Sequence, residues 1–336
     1  MKNPAKIDVA VLLIFFARDK QFAKVFEQVK IARPSKLFLY QDGAREGRKD
    51  DIEGIQRCRT IAEDIDWECE VYKFYQEKNV GCDPSEFIAQ KWAFSIVDKC
   101  IVLEDDDVPS QSFFPFCKEL LDKYEYDDRI NMICGMNNTG VCEYSPYSYL
   151  FSTMGSICGW ASWRRVIDTW DENYSFLDDG FQCEQLIKSI SEKIDSRRFL
   201  ENCKAHRSTG KAHYESILSS SLYLNSRLNI VTTKNMISNI GVVENATHSV
   251  ADIKQLPKGI RRIFFMKTHD IDFPLNHPPY VIDDVEFRKR LFRIMAIGHP
   301  MVNLYRKVAS VMLRIRYGQF NSLKKALLKK MPFKGK

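Results

Sequence analysis

Four consecutive carboxylates, Glu104, Asp105, Asp106 and Asp107, follow directly on an apolar run in the stretch KCIVLEDDDVPSQSFF. Packed carboxylates repel and raise one another's pKa unless a cation or a positive dipole end lies beside them. Clustered hard oxygen donors suit Mg2+ or Mn2+, and those ions in turn bind diphosphates. A solvated acidic turn is the competing reading of a bare Asp-Asp-Asp, and the flanking segments weigh against it. Cys100, Ile101, Val102 and Leu103 suit a strand buried on both faces. Pro109 and Ser110, followed by the apolar periodicity of FFPFCKELLDKY, predict a helix starting just beyond. In open α/β sheets ligands bind past the carboxyl ends of the strands, where these four side chains would stand.

The elements that must position this turn are legible upstream. KIDVAVLLIFFAR reads as a strand ending near Arg18, and KQFAKVFEQVKIA as a helix with Phe22, Val25, Phe26 and Val29 on one face. KLFLYQDGAR and ECEVYKFY read as a second and third strand, with CIVLEDDD as the fourth. IEGIQRCRTIAEDI and EFIAQKWAFSIVDK are the helices between them. Repeated β-α units of this size predict a parallel sheet with helices on both faces. No Gly-x-Gly-x-x-Gly and no Gly-Lys-Ser/Thr loop follows the first strand, which weakens dinucleotide-binding and P-loop readings. After about residue 130 the pattern loosens, with an aromatic stretch YSPYSYLFSTMGSICGWASWRR and later a strand-like NIVTTKNMISNIGV.

Across 336 residues, 45% hydrophobic and 28% charged side chains exclude a disordered chain and supply a sizeable core. The early run VAVLLIFFA is far short of the roughly 20 residues of a membrane span and lacks a cleavage site after it. A cytoplasmic protein is therefore expected, and its ten cysteines, with no Cys-x-x-Cys pair, read as reduced thiols. Sequons at Asn137, Asn173 and Asn245 carry little weight without a secretory signal. The net charge of +6 hides an asymmetry. Residues 287–336 hold fourteen Lys and Arg and no acid, and the rest of the chain holds 36 basic against 44 acidic side chains.

Six segments in register resemble one family: FFARDK, LFLYQDGAR, NVGC, IVLEDDDVPSQSFFPFCKELL, GWASWRR and SNIGVVENATHS. The chain is similar to nucleotide-sugar glycosyltransferases of the GT-A fold, in a bacterial group related to the N-acetylglucosaminyltransferase I type. The resemblance covers roughly residues 8 to 280. It implies an α/β fold, Rossmann-like, with a mostly parallel sheet and flanking helices. Residues 1–283 would be the transferase domain, split into a nucleotide-sugar half (1–135) and an acceptor half (136–283). It implies an inverting transfer of a sugar from a nucleotide-diphosphate donor to a hydroxyl of a glycan or lipid-linked acceptor, assisted by Mn2+ or Mg2+.

The resemblance also implies roles. Glu104, Asp105 and Asp106 match the family's Asp-x-Asp-like site, with Asp106 as direct metal ligand; Asp107 stands where other residues are tolerated. Ala17, Arg18 and Asp42 would line the base and ribose, and Asn79 and Gly81 would lie against the donor, the glycine permitting close approach. Trp160 would form the acceptor-side wall, and His248 would reach the diphosphate or the metal. The general base, worth ~10²–10⁴-fold, falls on Glu215, with Asp178 and Asp179 of FLDDGF as competing candidates, Asp179 the stronger. Glu215 stands where the family carries Asp. Arg164 and Arg165 read either as phosphate contacts or as a solvated helix start.

The basic segment from residue 284 to 336 predicts a helical extension. NLYRKVASVMLRIRYGQF places Leu304, Val308, Val311, Met312 and Ile315 on one face, and NSLKKALLKKM repeats the pattern with Leu323, Leu327 and Met331. Amphipathic basic helices lie on anionic membrane surfaces, so peripheral association with the inner face of the cell membrane is expected. The segment has no recognisable nucleic-acid module, and nucleic acid is not expected as a partner. Two other classes stay open. One is a sugar nucleotidyltransferase, against which stands the missing glycine-rich loop; the other is a non-catalytic carbohydrate-binding protein, which the Glu215 departure leaves possible.

Overall fold

The computed structural model describes residues 2–190, 193–242 and 253–318. Strands β1 (Ile7–Phe15), β2 (Pro34–Gln41), β3 (Glu70–Tyr75) and β4 (Lys99–Glu104) pair in parallel in the order β3-β2-β1-β4. Helices α1 (Asp19–Ala32), α2 (Lys49–Ala62) and α3 (Cys82–Ile96) connect them. This is the expected β-α alternation.

Beyond β4 the sheet becomes mixed. A short strand β5 (Asp107–Pro109) and helix α4 (Phe113–Lys123) lead to β6 (Ile130–Cys134), β7 (Tyr149–Ser152), β8 (Trp160–Trp163) and β9 (Leu228–Thr232). These four extend the eight-stranded sheet from β4 in the order β8-β6-β9-β7, with β8 antiparallel to both β4 and β6. The result is a Rossmann-like α/β fold, mostly parallel at its centre and followed by C-terminal helices.

Alternation along the strands builds a core on each face. Val11, Leu13 and Phe15 of β1 pack with Phe22, Val25, Phe26 and Val29 of α1 on one side. Ala10, Leu12 and Ile14 pack with Ala89, Ala93 and Phe94 of α3 on the other. Each large apolar side chain buried in this way contributes roughly 1.5–3 kcal/mol. This two-sided burial is why β1 and β4 read as continuous apolar runs rather than alternating ones.

One local expectation is corrected. The carboxylate run does not turn straight into a helix at Pro109. Asp107, Val108 and Pro109 pair antiparallel with Asn239, Ser238 and Ile237 of β10 (Ile237–Asn239), and α4 starts only at Phe113. Pairing with a segment about 130 residues away leaves no local sign.

The basic C-terminal segment divides in two. In helix Val285–Met295, Phe287, Leu291 and Ile294 are buried, and the Asp284 amide donates to the Phe151 carbonyl at 2.7 Å. That helix belongs to the body. Helix Pro300–Arg316 buries none of its residues. Leu323, Leu327 and Met331 lie outside the described residues. Among the described residues no helix is long and apolar enough to cross a membrane.

Candidate functional site

The four carboxylates stand where β4 ends beside β1 and meets β10. The Phe16 amide donates to Asp105 Oδ2 at 3.3 Å, and the Arg18 guanidinium forks onto the same carboxylate. Arg18 Nη1 also pairs with Asp106 Oδ2 at 2.7 Å. From the other side Asn239 Nδ2 donates to Asp106 Oδ1 and Asp107 Oδ1, each at 3.1 Å. The Gly159 amide donates to Asp107 Oδ2 at 2.9 Å. Gly241 approaches so closely that a Cβ there would overlap Asp106 Oδ2. Asp106 is thus held between β1 on one side and the segment after β10 on the other.

Charge at this turn is far from balanced. Arg18 is the cation paired with it among the described residues. A fifth carboxylate, Glu86 of α3, is 5% exposed, with Gln90 Nε2 donating to it at 3.0 Å. Burial and the charges of Asp107 and Asp105 push Glu86 up to about 8. Burial and Asp106 push Asp107 up to about 8 as well. Burial and Glu86 hold Glu104 well above the carboxylate range, and burial raises Asp106 despite Arg18. Burial alone would loosen the Arg18 proton, but Asp105 and Asp106 outweigh it and hold that guanidinium charged.

A cleft of about 170 Å³ opens on the β1 and β2 side, lined by Phe16, Arg18, Asp42, Arg45, Gly81 and Glu104, among others. Its floor is a fixed loop. Asp42 Oδ1 accepts from the Gly43 and Val80 amides at 2.8 and 2.9 Å, and Oδ2 from Asn79 Nδ2 and the Gly81 amide at 2.7 and 3.0 Å. Asp42 therefore holds the Asn79 to Gly81 loop rather than offering open lone pairs to a ligand. Gly81 sits at φ +94°, a conformation open to glycine, with no atom crowding the place of a Cβ nearer than 4.0 Å. Its role is backbone conformation ahead of α3, whose positive N-terminal end faces the cleft. Ala17 does not line the cleft; its carbonyl packs against Gly54 of α2.

A second cavity, of about 430 Å³, lies on the β10 side. Met132, Met136, Met154, Leu218, Glu215 and Asn239 are among the residues lining it. Glu215 stands in the first turn of helix Tyr214–Leu224 and is exposed there. Asp106 lines neither cavity itself, but Arg18, which lines the first, and Asn239, which lines the second, both contact its carboxylate.

Other expected residues are elsewhere. Trp160 is 1% exposed and packs in the core. Its ring is not a wall, because β8 lies between β4 and β6 and is covered on both faces. The preceding Gly159 reaches the site instead, through its amide. Asp179 caps helix Gly180–Ser189, accepting from the Phe181 and Gln182 amides at 2.9 and 3.1 Å, and is not among the residues lining the second cavity. Arg164 pairs with the Phe94 carbonyl and Asp98. Arg165 pairs with the Glu125, Ile130 and Tyr124 carbonyls. Both serve as internal braces. His248 lies outside the described residues. Glu86, Arg45 and Asn239 were not singled out from sequence. Asn239 was in view within SNIGVVENATHS, whereas Glu86 sits in an ordinary helical pattern with nothing to mark it.

The donor set can be tested against a divalent ion. No three His, Cys, Asp or Glu side chains among the described residues are placed to enclose a metal by themselves. Mg2+ and Mn2+ at phosphate sites are commonly held by one or two carboxylates and completed by phosphate oxygens and water. Asp106 fits that pattern through the oxygen now paired with Arg18, whereas both oxygens of the fully buried Asp107 already accept from Asn239 and the Gly159 amide. A 2+ charge at Asp106 would relieve the repulsion among the buried carboxylates.

No protein-family model matches the chain, and no curated protein matches it. Among solved structures, a UDP-glucose pyrophosphorylase complexed with UDP-glucose is similar at 9% identity, over 69% of this chain and 93% of that one, with a TM-score of 0.35. A 4-diphosphocytidyl-2C-methyl-D-erythritol synthase from Anaerococcus prevotii DSM 20548 is similar at 9% identity, over 58% and 84%, with a TM-score of 0.29. Likenesses this distant assign no activity.

Proposed function

We propose that the protein is a glycosyltransferase that uses a nucleotide-diphosphate sugar and a divalent cation, and passes the sugar to an acceptor hydroxyl. One observation carries the reading: the buried Asp106 carboxylate is held by Arg18, which lines one cavity, and by Asn239, which lines the other. A donor diphosphate entering from the Arg18 side and an acceptor entering from the Glu215 side would meet there. The donor would lie along the Phe16 to Arg18 segment and the Asn79 to Gly81 loop, with Arg18 and Arg45 supplying charge to phosphate oxygens.

Asp106 would hold Mg2+ or Mn2+ in place of the Arg18 pair, and the ion when bound would neutralise charge on the departing nucleoside diphosphate. Glu215 would take the acceptor hydroxyl's proton as that oxygen attacks the anomeric carbon. Asn239 would fix Asp106 and Asp107 relative to the acceptor. The apolar, methionine-rich lining of the second cavity suits an acceptor with a lipid portion as well as a glycan.

The test is a thermal-shift panel of UDP-, GDP-, dTDP- and CMP-linked sugars with Mn2+ or EDTA, on the wild type and Asp106→Asn. A ligand that binds only the native state raises the melting temperature. A metal-dependent shift with one nucleotide, lost in Asp106→Asn and accompanied by slow release of free nucleoside diphosphate, supports the transferase. Formation of nucleoside triphosphate when pyrophosphate is added would instead make the protein a nucleotidyltransferase. Binding without either reaction would make it a carbohydrate-binding protein.

A further inference from the structure

Helix Pro300–Arg316 carries two unlike faces. Val302, Arg306, Ala309, Ser310, Leu313 and Arg314 are half-buried, and Arg306 ties that side to the body by donating to the Ile294 carbonyl at 2.6 Å. Leu304, Tyr305, Val308, Val311, Met312 and Ile315 are exposed, between 45% and 68%. At ~100° per residue these six fall within an arc of about 120°, roughly opposite the half-buried side. Lys307 and Arg314 flank the stripe on one edge and Arg316 on the other. Nothing covers the stripe among the described residues. Of the 21 exposed large apolar side chains among the described residues, 14 lie at or after Phe265, so the exposure is concentrated at this end of the described chain.

We propose that this face docks the protein on an anionic lipid bilayer, with the helix lying in the plane of the interface. The stripe would enter the acyl boundary while the flanking cations meet lipid phosphates. Charge selects this occupant over a second copy of the chain. Helix Pro300–Arg316 carries Arg306, Lys307, Arg314 and Arg316 and no acid, so two such faces brought together would repel. A monomer seldom leaves a contiguous apolar strip in water, and a polyanion without an apolar layer, such as nucleic acid, would leave the strip uncovered. The inference is independent of the catalytic reading, since it needs no donor, metal or acceptor.

The test is co-sedimentation of the full chain with vesicles of phosphatidylcholine alone or mixed with phosphatidylglycerol, alongside light scattering for molecular mass. The expected result is binding to the anionic vesicles only, weakened by salt. Leu304→Glu/Val308→Glu/Met312→Glu should reduce binding at least tenfold, and Lys307→Gln/Arg314→Gln/Arg316→Gln should reduce it and flatten its salt dependence. Neither should move the melting temperature appreciably, because every substituted position is exposed except Arg314, which is half-buried. Absence of binding to anionic vesicles, or undiminished binding of the apolar triple variant, would overturn the proposal. So would a wild-type dimer that the apolar variant disperses, which would make a second copy the occupant.

Discussion

Replacing Glu86 by Gln removes a charge from the interior while keeping the side chain's shape. Glu86 is 5% exposed beside Gln90, and an amide at this position can still pair with that neighbour. In the unfolded chain the carboxyl ionises near 4.5 and in the folded protein near 8. Between those values the folded protein holds more protons, so stability falls as pH rises through the window. At roughly 1.4 kcal/mol per pH unit, full ionisation of Glu86 costs about 4–5 kcal/mol. Burial of the charge is the largest part of that cost, followed by repulsion from Asp107 and Asp105, so the substitution recovers on the order of 2–5 kcal/mol, or about 3–7 °C in melting temperature for a chain of this size. The assay is thermal unfolding from pH 5 to 8 in EDTA. Glu86→Gln should melt higher at pH 8, match the wild type at pH 5, and show a flatter pH profile. Added Mn2+ should stabilise the wild type more at pH 8 than at pH 5.5. Parallel pH profiles for the two proteins would refute the reasoning, because Glu86 would then hold no extra proton in the fold.

Three further substitutions separate the roles assigned above. Gly241→Ala places a Cβ against Asp106 Oδ2 and should weaken donor binding in Mn2+ at least about tenfold, or ~1.4 kcal/mol; unchanged affinity by calorimetry would sink the idea that this approach shapes the site. Glu215→Gln should lower turnover by ~10²–10⁴-fold while leaving the donor's thermal shift intact. A loss under tenfold would place the base elsewhere. Trp160→Ala should destabilise by about 3–5 kcal/mol as a core truncation, read in denaturant melts. A stable variant with a raised acceptor KM alone would instead put the ring at the acceptor.

Much of the site was legible because its signals are local. An apolar run ending in carboxylates marks the exit of a central parallel strand, and Asp105 and Asp106 are at that exit. Asp42 and Gly81 both line the cleft, but only the folded loop reveals four donors already bound to the Asp42 carboxylate. Asp179 was readable in principle: an Asp before Gly-Phe-Gln at a helix start is an ordinary N-cap. Trp160 was not readable, because a strand inserted between two others buries both faces and a Gly-Trp pair does not tell which neighbours it will have.

By itself the sequence determined the β-α rhythm, the acidic end of the fourth strand and the basic amphipathic character of the C-terminal segment. Each is written in periodicities of two or 3.6 residues, or in runs of charge, over fewer than twenty positions. Tertiary structure decided what those pieces touch. Asn239 faces Asp107 through a strand pairing set across more than a hundred residues, and Glu86 joins Glu104 because α3 packs over the end of β4. The division of the basic segment into one packed helix and one uncovered helix was decided there too. Packing and register depend on which distant surfaces find each other, and a local pattern carries no record of that choice.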